Sequence, residues 1–162
     1  MLFRSNKTQR EVLESYYGND EKENFESLWT NVKEKLHKFG RYSTWFYLQH
    51  LKHTAGIRIE PTTLMLNDYA GSRSHRNGLL LALGKDDQYD KTLTSGEYAD
   101  LESSSSGIIH EMRSRFPELK DQIDFFTMET CLCSFKKIFR AHHRSEEHTS
   151  ELQSHSFISY AV

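Results

Sequence analysis

Asn19-Asp-Glu-Lys-Glu-Asn-Phe-Glu-Ser-Leu-Trp-Thr-Asn-Val-Lys-Glu-Lys-Leu-His-Lys-Phe-Gly40 is the stretch on which the fold reading turns. Phe25, Leu28, Trp29, Val32, Leu36 and Phe39 recur at helical spacing, so one face of a helix from Asp20 to Phe39 is apolar and the other charged. Asn19 is the expected N-cap and Gly40 the stop. Arg41 to His53 repeats the pattern, with Trp45, Leu48 and Leu51 on one stripe and Gly56 behind it. Two amphipathic helices joined by so short a turn predict an antiparallel helical hairpin.

Working outward, Ile57 to Leu66 reads as a brief extended piece followed by a short helix that Pro61 opens. Gly71 to Gly84 encloses Leu79, Leu80, Leu81 and Leu83, which predicts a mostly buried helix begun by Ser72 or Ser74 and ended by Gly84. Lys85 to Gly96 is charged and rich in turn formers, and Glu102 to Gly107 holds four consecutive serines, so this region is expected to be surface loop around at most a short helix. Ile108, Ile109, Met112 and Phe116 resume the helical period up to Pro117. A further helix is expected from Pro117 through Leu119, Ile123, Phe126, Leu132, Phe135 and Phe139. Trp29 and Trp45 read as core, as does Cys131. The expected fold is all-α, one helical domain over residues 1–143 with a helix-hairpin-helix-like turn, incomplete at its C-terminal side.

Residues 144–162 stand apart. Arg144-Ser-Glu-Glu-His-Thr-Ser-Glu-Leu-Gln-Ser-His155 has no apolar period and nothing to bury, which predicts a disordered tail. Back-translated, residues 144–162 resemble the adapter oligonucleotide ligated to DNA for short-read sequencing, with Ser156-Phe157 at the index. The expectation is that the natural chain continues differently past His143. With Arg144, Glu146, Glu147 and Glu151 set aside, acidic and basic residues balance, so nucleic-acid binding has to come from local patches rather than net charge.

Composition narrows the function classes. Across 162 residues of mean hydropathy -0.72, no run approaches the roughly 20 apolar residues of a membrane span, and the N-terminus lacks a signal-peptide core. A cytoplasmic location without membrane contact is expected. Cys131 and Cys133 point apart on a helix, so neither a disulfide framework nor a structural zinc site is expected. His50 and His53 lack a carboxylate partner at ligand spacing. No metal and no cofactor are expected.

The densest polar segment is Asn67-Asp-Tyr-Ala-Gly-Ser-Arg-Ser-His-Arg-Asn-Gly78. If Ser72 starts the helix, Arg73, Arg76 and Asn77 share a face near a helix N-terminus, where free N–H groups and guanidiniums favour phosphate or pyrophosphate. Asp68, just upstream, is a candidate general base, magnesium ligand or cap. The plain alternative is an exposed, capped helix start with solvated arginines. A second candidate is the turn Leu36-His-Lys-Phe-Gly-Arg-Tyr-Ser-Thr44, which resembles the hairpin of helix-hairpin-helix DNA-binding proteins. There Gly40, Arg41, Tyr42 and Ser43 would offer backbone N–H groups to a DNA phosphate. The family's first glycine and proline are absent, and an ordinary helix-Gly-helix turn is the alternative. Lys136, Lys137, Arg140, His142 and His143 make a basic helix end, a solvated face or a DNA-backbone contact.

Taken together, Phe39-Gly-Arg-Tyr-Ser-Thr-Trp-Phe-Tyr-Leu48, Leu66-Asn-Asp-Tyr-Ala-Gly-Ser-Arg-Ser-His-Arg-Asn-Gly78 and Glu129-Thr-Cys-Leu-Cys-Ser-Phe-Lys-Lys-Ile-Phe139 resemble the amino acid:DNA transferase family. Its relatives are the α-glutamyl/putrescinyl thymine pyrophosphorylases of phage DNA hypermodification. The resemblance implies a phage-encoded transferase in the bacterial host cell. In that pathway hydroxymethyluracil in DNA is pyrophosphorylated, and an amine of an amino acid or polyamine then displaces the pyrophosphate. DNA and the amine are the implied partners. On this reading Arg73, Arg76 and the helix start near Ser72 stabilise the departing pyrophosphate. Asp68 or His75 takes the amine's proton. Tyr69 or Tyr42 stacks on an extruded base, with packing as its alternative. Asn67, Gly71, Ser72, Asn77 and Gly78 complete the expected substrate-binding set. The rivals are a non-catalytic DNA-binding module, and a glycosylase-like enzyme in which Asp68 is catalytic.

Overall fold

The computed structural model describes residues 8–16, 18–67 and 73–140. Among these residues there are helices and turns and no strand. The helices are α1 (Gln9–Glu14), α2 (Glu21–Lys35), α3 (Arg41–Ala55), α4 (Ser74–Ala82), α5 (Ser95–Arg115) and α6 (residues 125–140). None is long and apolar enough to cross a membrane. The all-α expectation therefore holds. The segment 144–162 lies outside the described residues.

The hairpin of α2 and α3 forms as its periodicity predicts. Asp20, rather than Asn19, caps α2, its Oδ1 accepting from the N–H groups of Lys22 and Glu23 at 2.8 and 2.9 Å. The helix stops at Lys35, short of the expected Phe39, because Leu36 turns extended and Lys38 takes a left-handed φ of 64°. Gly56 ends α3 with φ 64°, the left-handed conformation its missing Cβ permits. Phe25 and Trp45 from the hairpin meet Phe126 of α6, with edge-to-face ring centroids 5.1–5.8 Å apart, and Trp29 packs on both hairpin rings. Such contacts add about 0.5–1.5 kcal/mol each beyond area burial. Asp124 caps α6 through Thr127 N–H and pairs with Lys52 at 2.7 Å. Burial pushes the Asp124 carboxyl up, but the Lys52 ammonium and the Thr127 N–H outweigh it, and the group sits below its ordinary value.

Three expectations need correction. Pro61 opens no helix: residues 57–61 form neither helix nor strand, and residues 62–67 bend and turn. The Glu102 carboxylate takes the N–H groups of Leu64 and Leu66, at 3.0 and 2.7 Å, so this backbone is satisfied by a side chain instead of a helical ladder. Glu102 itself lies in α5, where loop was expected. The four serines are helical, and Ser104, Ser105 and Ser106 donate their hydroxyls back to carbonyls of Asp100 and Glu102. A capping box at Thr94 and Glu97 starts this 21-residue helix. Pro117 begins only a single 3-10 turn, Pro117–Leu119, before α6.

α4 crosses α6 closely. A Cβ on Gly78 would lie 2.2 Å from the carbonyl oxygen of Leu132, so only glycine allows this approach. This crossing brings the first turn of α4 beside the middle of α6.

Candidate active site

Gly40 gives α3 no side-chain cap, and the first turn of α3 splits in direction. Arg41 turns inward and is fully buried. Its Nη1 donates to Glu129 Oε1 at 3.2 Å, its Nη2 to the Leu64 carbonyl at 2.9 Å, and its guanidinium lies 5.0 Å from the Trp45 ring centre. Tyr42 and Phe46, one turn apart, point out. They are 57% and 60% exposed, with rings stacked at 6.3 Å and 14°. Two stacked aromatic faces left in water form a platform for another planar group.

In α4, Ser74 is the first helical residue and Arg73 the N-cap. The expected face of Arg73, Arg76 and Asn77 does meet, around the left-handed Asp90. Arg73 Nη1 donates to the Asp90 carbonyl at 3.0 Å and Asn77 Nδ2 to its carboxylate at 2.5 Å. Arg76 is buried, donating to Tyr98 Oη at 3.1 Å and to Asn77 Oδ1 at 3.3 Å. These bonds tie α4 to α5 and to the connection between them. His75 is buried too, and neither ring nitrogen has a hydrogen-bond partner among the described residues. Burial, then the charges of Arg41 and Arg76, hold its pKa down at about 2, so the ring is neutral.

Between α3, α6 and the start of α4 opens a cleft of about 200 Å³ lined by Tyr42, Trp45, Phe46, Ser74, Glu129 and Cys133 among others. Gln49 and Thr130 face each other across it at 3.3 Å. Lys137 lines the cleft as well, and Lys136 Nζ donates to Ser74 Oγ at 2.7 Å. Glu129 is the one carboxylate among the described residues that line it. Cys133 donates its thiol to Glu129 Oε1 at 3.7 Å. Burial, reinforced by the Glu129 charge and that hydrogen bond, pushes the thiol up to about 12, which removes it as a nucleophile near neutral pH. The cleft thus offers an aromatic wall, the lysine Lys137 together with the first residue of α4, and a buried carboxylate.

Of the residues singled out from the sequence, Tyr42 stands on the rim. Arg41, His75 and Arg76 lie buried behind the cleft; Asn77 and Gly78 are buried in α4; Arg73 and Ser43 are half-buried; Asn67 is exposed in a turn. Asp68, Tyr69, Gly71 and Ser72 lie outside the described residues, as do His142 and His143. Cys131, expected as core filler, is exposed, because Leu132 takes the inward position next to it. His50 and His53 are exposed on α3, and the described residues contain no grouping of three or more His, Cys, Asp or Glu suited to a metal ion. Glu129, Phe46, Gln49 and Ser74 were missed as site residues. Glu129 had a readable signal: it sits on the apolar stripe of α6 between Phe126 and Leu132, as Arg41 sits on that of α3 ahead of Trp45 and Leu48. One charge of each sign on two buried stripes announces a pair.

The family model described as amino acid:DNA transferase matches residues 2–144 of the chain. No curated protein and no solved structure matches.

Proposed function

The chain belongs to the amino acid:DNA transferase family, and from that premise we propose that it joins an amine of an amino acid or polyamine to pyrophosphorylated hydroxymethyluracil in DNA, releasing pyrophosphate. The observation that carries this reading is convergence. Three blocks far apart in the chain, around Tyr42, Ser74 and Glu129, line one cleft that combines a stacking surface, cations and a carboxylate.

In this proposal the extruded base lies against Tyr42 and Phe46, since stacking on an exposed aromatic face tolerates any base and is worth about 1–3 kcal/mol. The pyrophosphate lies toward Ser74, the start of α4, Lys136 and Lys137. The developing negative charge there meets an ammonium, a hydroxyl and helix-terminal N–H groups. Arg73, at the N-cap, belongs to the same end. Arg76 and His75 act by holding α4 in place. Asp68 enters through its place in the sequence block alone, as an acid–base group shortly before Ser74 in the chain.

The test is incubation of the protein with DNA carrying pyrophosphorylated hydroxymethyluracil and an amino acid or diamine, followed by nucleoside mass spectrometry. An amine-linked thymidine derivative that disappears in Asp68→Asn and Lys137→Ala, with DNA affinity kept in the former, is the expected result. An abasic product would point to hydrolysis of the glycosidic bond, and unmodified DNA with intact binding to a module that only binds.

A further inference from the structure

We infer that Glu129 is the proton acceptor for the incoming amine, with Oε2 as the accepting atom and Arg41 as the residue that positions it; this deepens the transferase reading and rests on it. Both donors that Glu129 receives, Arg41 Nη1 and Cys133 Sγ, go to Oε1. Oε2 has no protein donor among the described residues, and Glu129 lines the cleft. One oxygen is therefore pinned from behind while the other is left for a ligand. The pin is rigid: Arg41 is fully buried, lies against Trp45, and is held a second time by the Leu64 carbonyl.

The other lining groups compete poorly for the task. Tyr42, Ser74, Thr130 and Ser134 present neutral hydroxyls, Gln49 an amide already donating to Thr130, Lys137 a cation, and Cys133 a protonated thiol. Among the described residues that line the cleft, an ammonium entering it finds a single anion. Lys136 lies by Ser74, where the leaving group would be drawn, and Lys137 lines the same cleft, so attacking nitrogen and departing phosphate are drawn to opposite charges.

The ammonium of the incoming amine gives one proton to Glu129 Oε2, and the lone pair so freed forms a C–N bond at the exocyclic methylene of the base. The C–O bond to the diphosphate breaks, its electron pair leaving with pyrophosphate. The secondary ammonium that results gives a proton to solvent, and the Glu129 carboxyl returns its own to the released pyrophosphate or to water.

The experiment compares two amines in one assay: an amino acid, whose nitrogen is protonated at neutral pH, and methoxyamine, whose nitrogen is not and which needs no proton acceptor. With the amino acid, Glu129→Gln is expected to lose about 100-fold or more in rate. With methoxyamine it should stay near the wild-type rate, while Asp68→Asn should gain no such advantage from methoxyamine. Should Glu129→Gln fail to fold because Arg41 is left without its counter-charge, Arg41→Met/Glu129→Gln removes the buried cation as well, and the same two-amine comparison decides. Glu129→Gln equally active, or equally impaired, with both amines overturns the role of Glu129 alone. Rescue of Asp68→Asn in its place transfers that role to Asp68. A wild-type chain that couples neither amine overturns the transferase reading, and this inference with it.

Discussion

Nη1 of Arg41 lies 3.2 Å from Oε1 of Glu129, a buried ion pair between residues 88 apart in sequence that joins the first turn of α3 to the middle of α6. A buried pair of this kind adds little over an apolar pair of the same size, whereas breaking it strands a charge. Arg41→Met alone is expected to cost about 3–5 kcal/mol of stability. The double change Arg41→Met/Glu129→Leu should recover most of that, falling short by about 1 kcal/mol because the Leu64 carbonyl loses its donor. Urea unfolding of the four proteins measures the coupling, and strictly additive losses would contradict it.

Gly78 is expected to be intolerant of any side chain. Gly78→Ala puts a methyl group 2.2 Å from a backbone oxygen, and helix backbones cannot yield as a flexible side chain does. The loss should reach about 1–3 kcal/mol or more. Gly107, inside α5 with nothing within 4 Å of its Cβ position, is the contrast: Gly107→Ala should stabilise by up to about 1 kcal/mol. Thermal unfolding distinguishes the two by sign.

His75 predicts a pH dependence. Its folded pKa, about 2, lies below the ordinary 6.5, so as pH falls the unfolded chain takes up the proton first. The contribution of the neutral imidazole is therefore complete above about pH 6.5 and lost progressively toward pH 2, with a slope of up to about 1.4 kcal/mol per pH unit. His75→Gln cannot titrate and should show a flatter stability profile between pH 7 and pH 4 by chemical denaturation. Parallel profiles would place a protonated His75 in the folded state.

Tyr42 and Phe46 are expected to matter for DNA and not for folding. Both are more than half exposed, so alanine at either position should change stability by no more than about 0.5 kcal/mol. Affinity for single-stranded or base-extruded DNA should weaken by about 1–3 kcal/mol at either position. Lys137→Ala, in contrast, should lower affinity evenly across sequences and reduce the salt slope by about one ion. Fluorescence anisotropy at several salt concentrations reads all three.

The hairpin of α2 and α3 and the apolar face of α6 were legible because each rests on local period: Phe25, Leu28 and Trp29, or Phe126 and Leu132, repeat at a spacing only a helix brings to one side. α5 was misread because four serines resemble a loop, although Thr94 and Glu97 had already written its capping box. Serine costs a helix only a few tenths of a kcal/mol, and packing of Leu101 and Ile109 outweighs that. The block from Asn67 to Gly78 is legible in the sequence as dense in polar groups, but residue types could not say that Arg76 would bond to Tyr98 or that His75 would be buried. The partners that decide those outcomes come from α5 and α3.

What the sequence determined by itself was the identity of the strongly periodic helices and the separation of an apolar from a charged face, both properties of neighbours a few residues apart, and the family to which its three blocks point. Which charges face one another was decided only by the tertiary structure. Arg41 meets Glu129, Lys136 meets Ser74 and Glu102 meets the backbone of Leu64 and Leu66 because the close crossing at Gly78 and the aromatic cluster around Phe126 fix how the helices lie. A spacing along one chain carries the period of a helix, but it carries no distance between two of them.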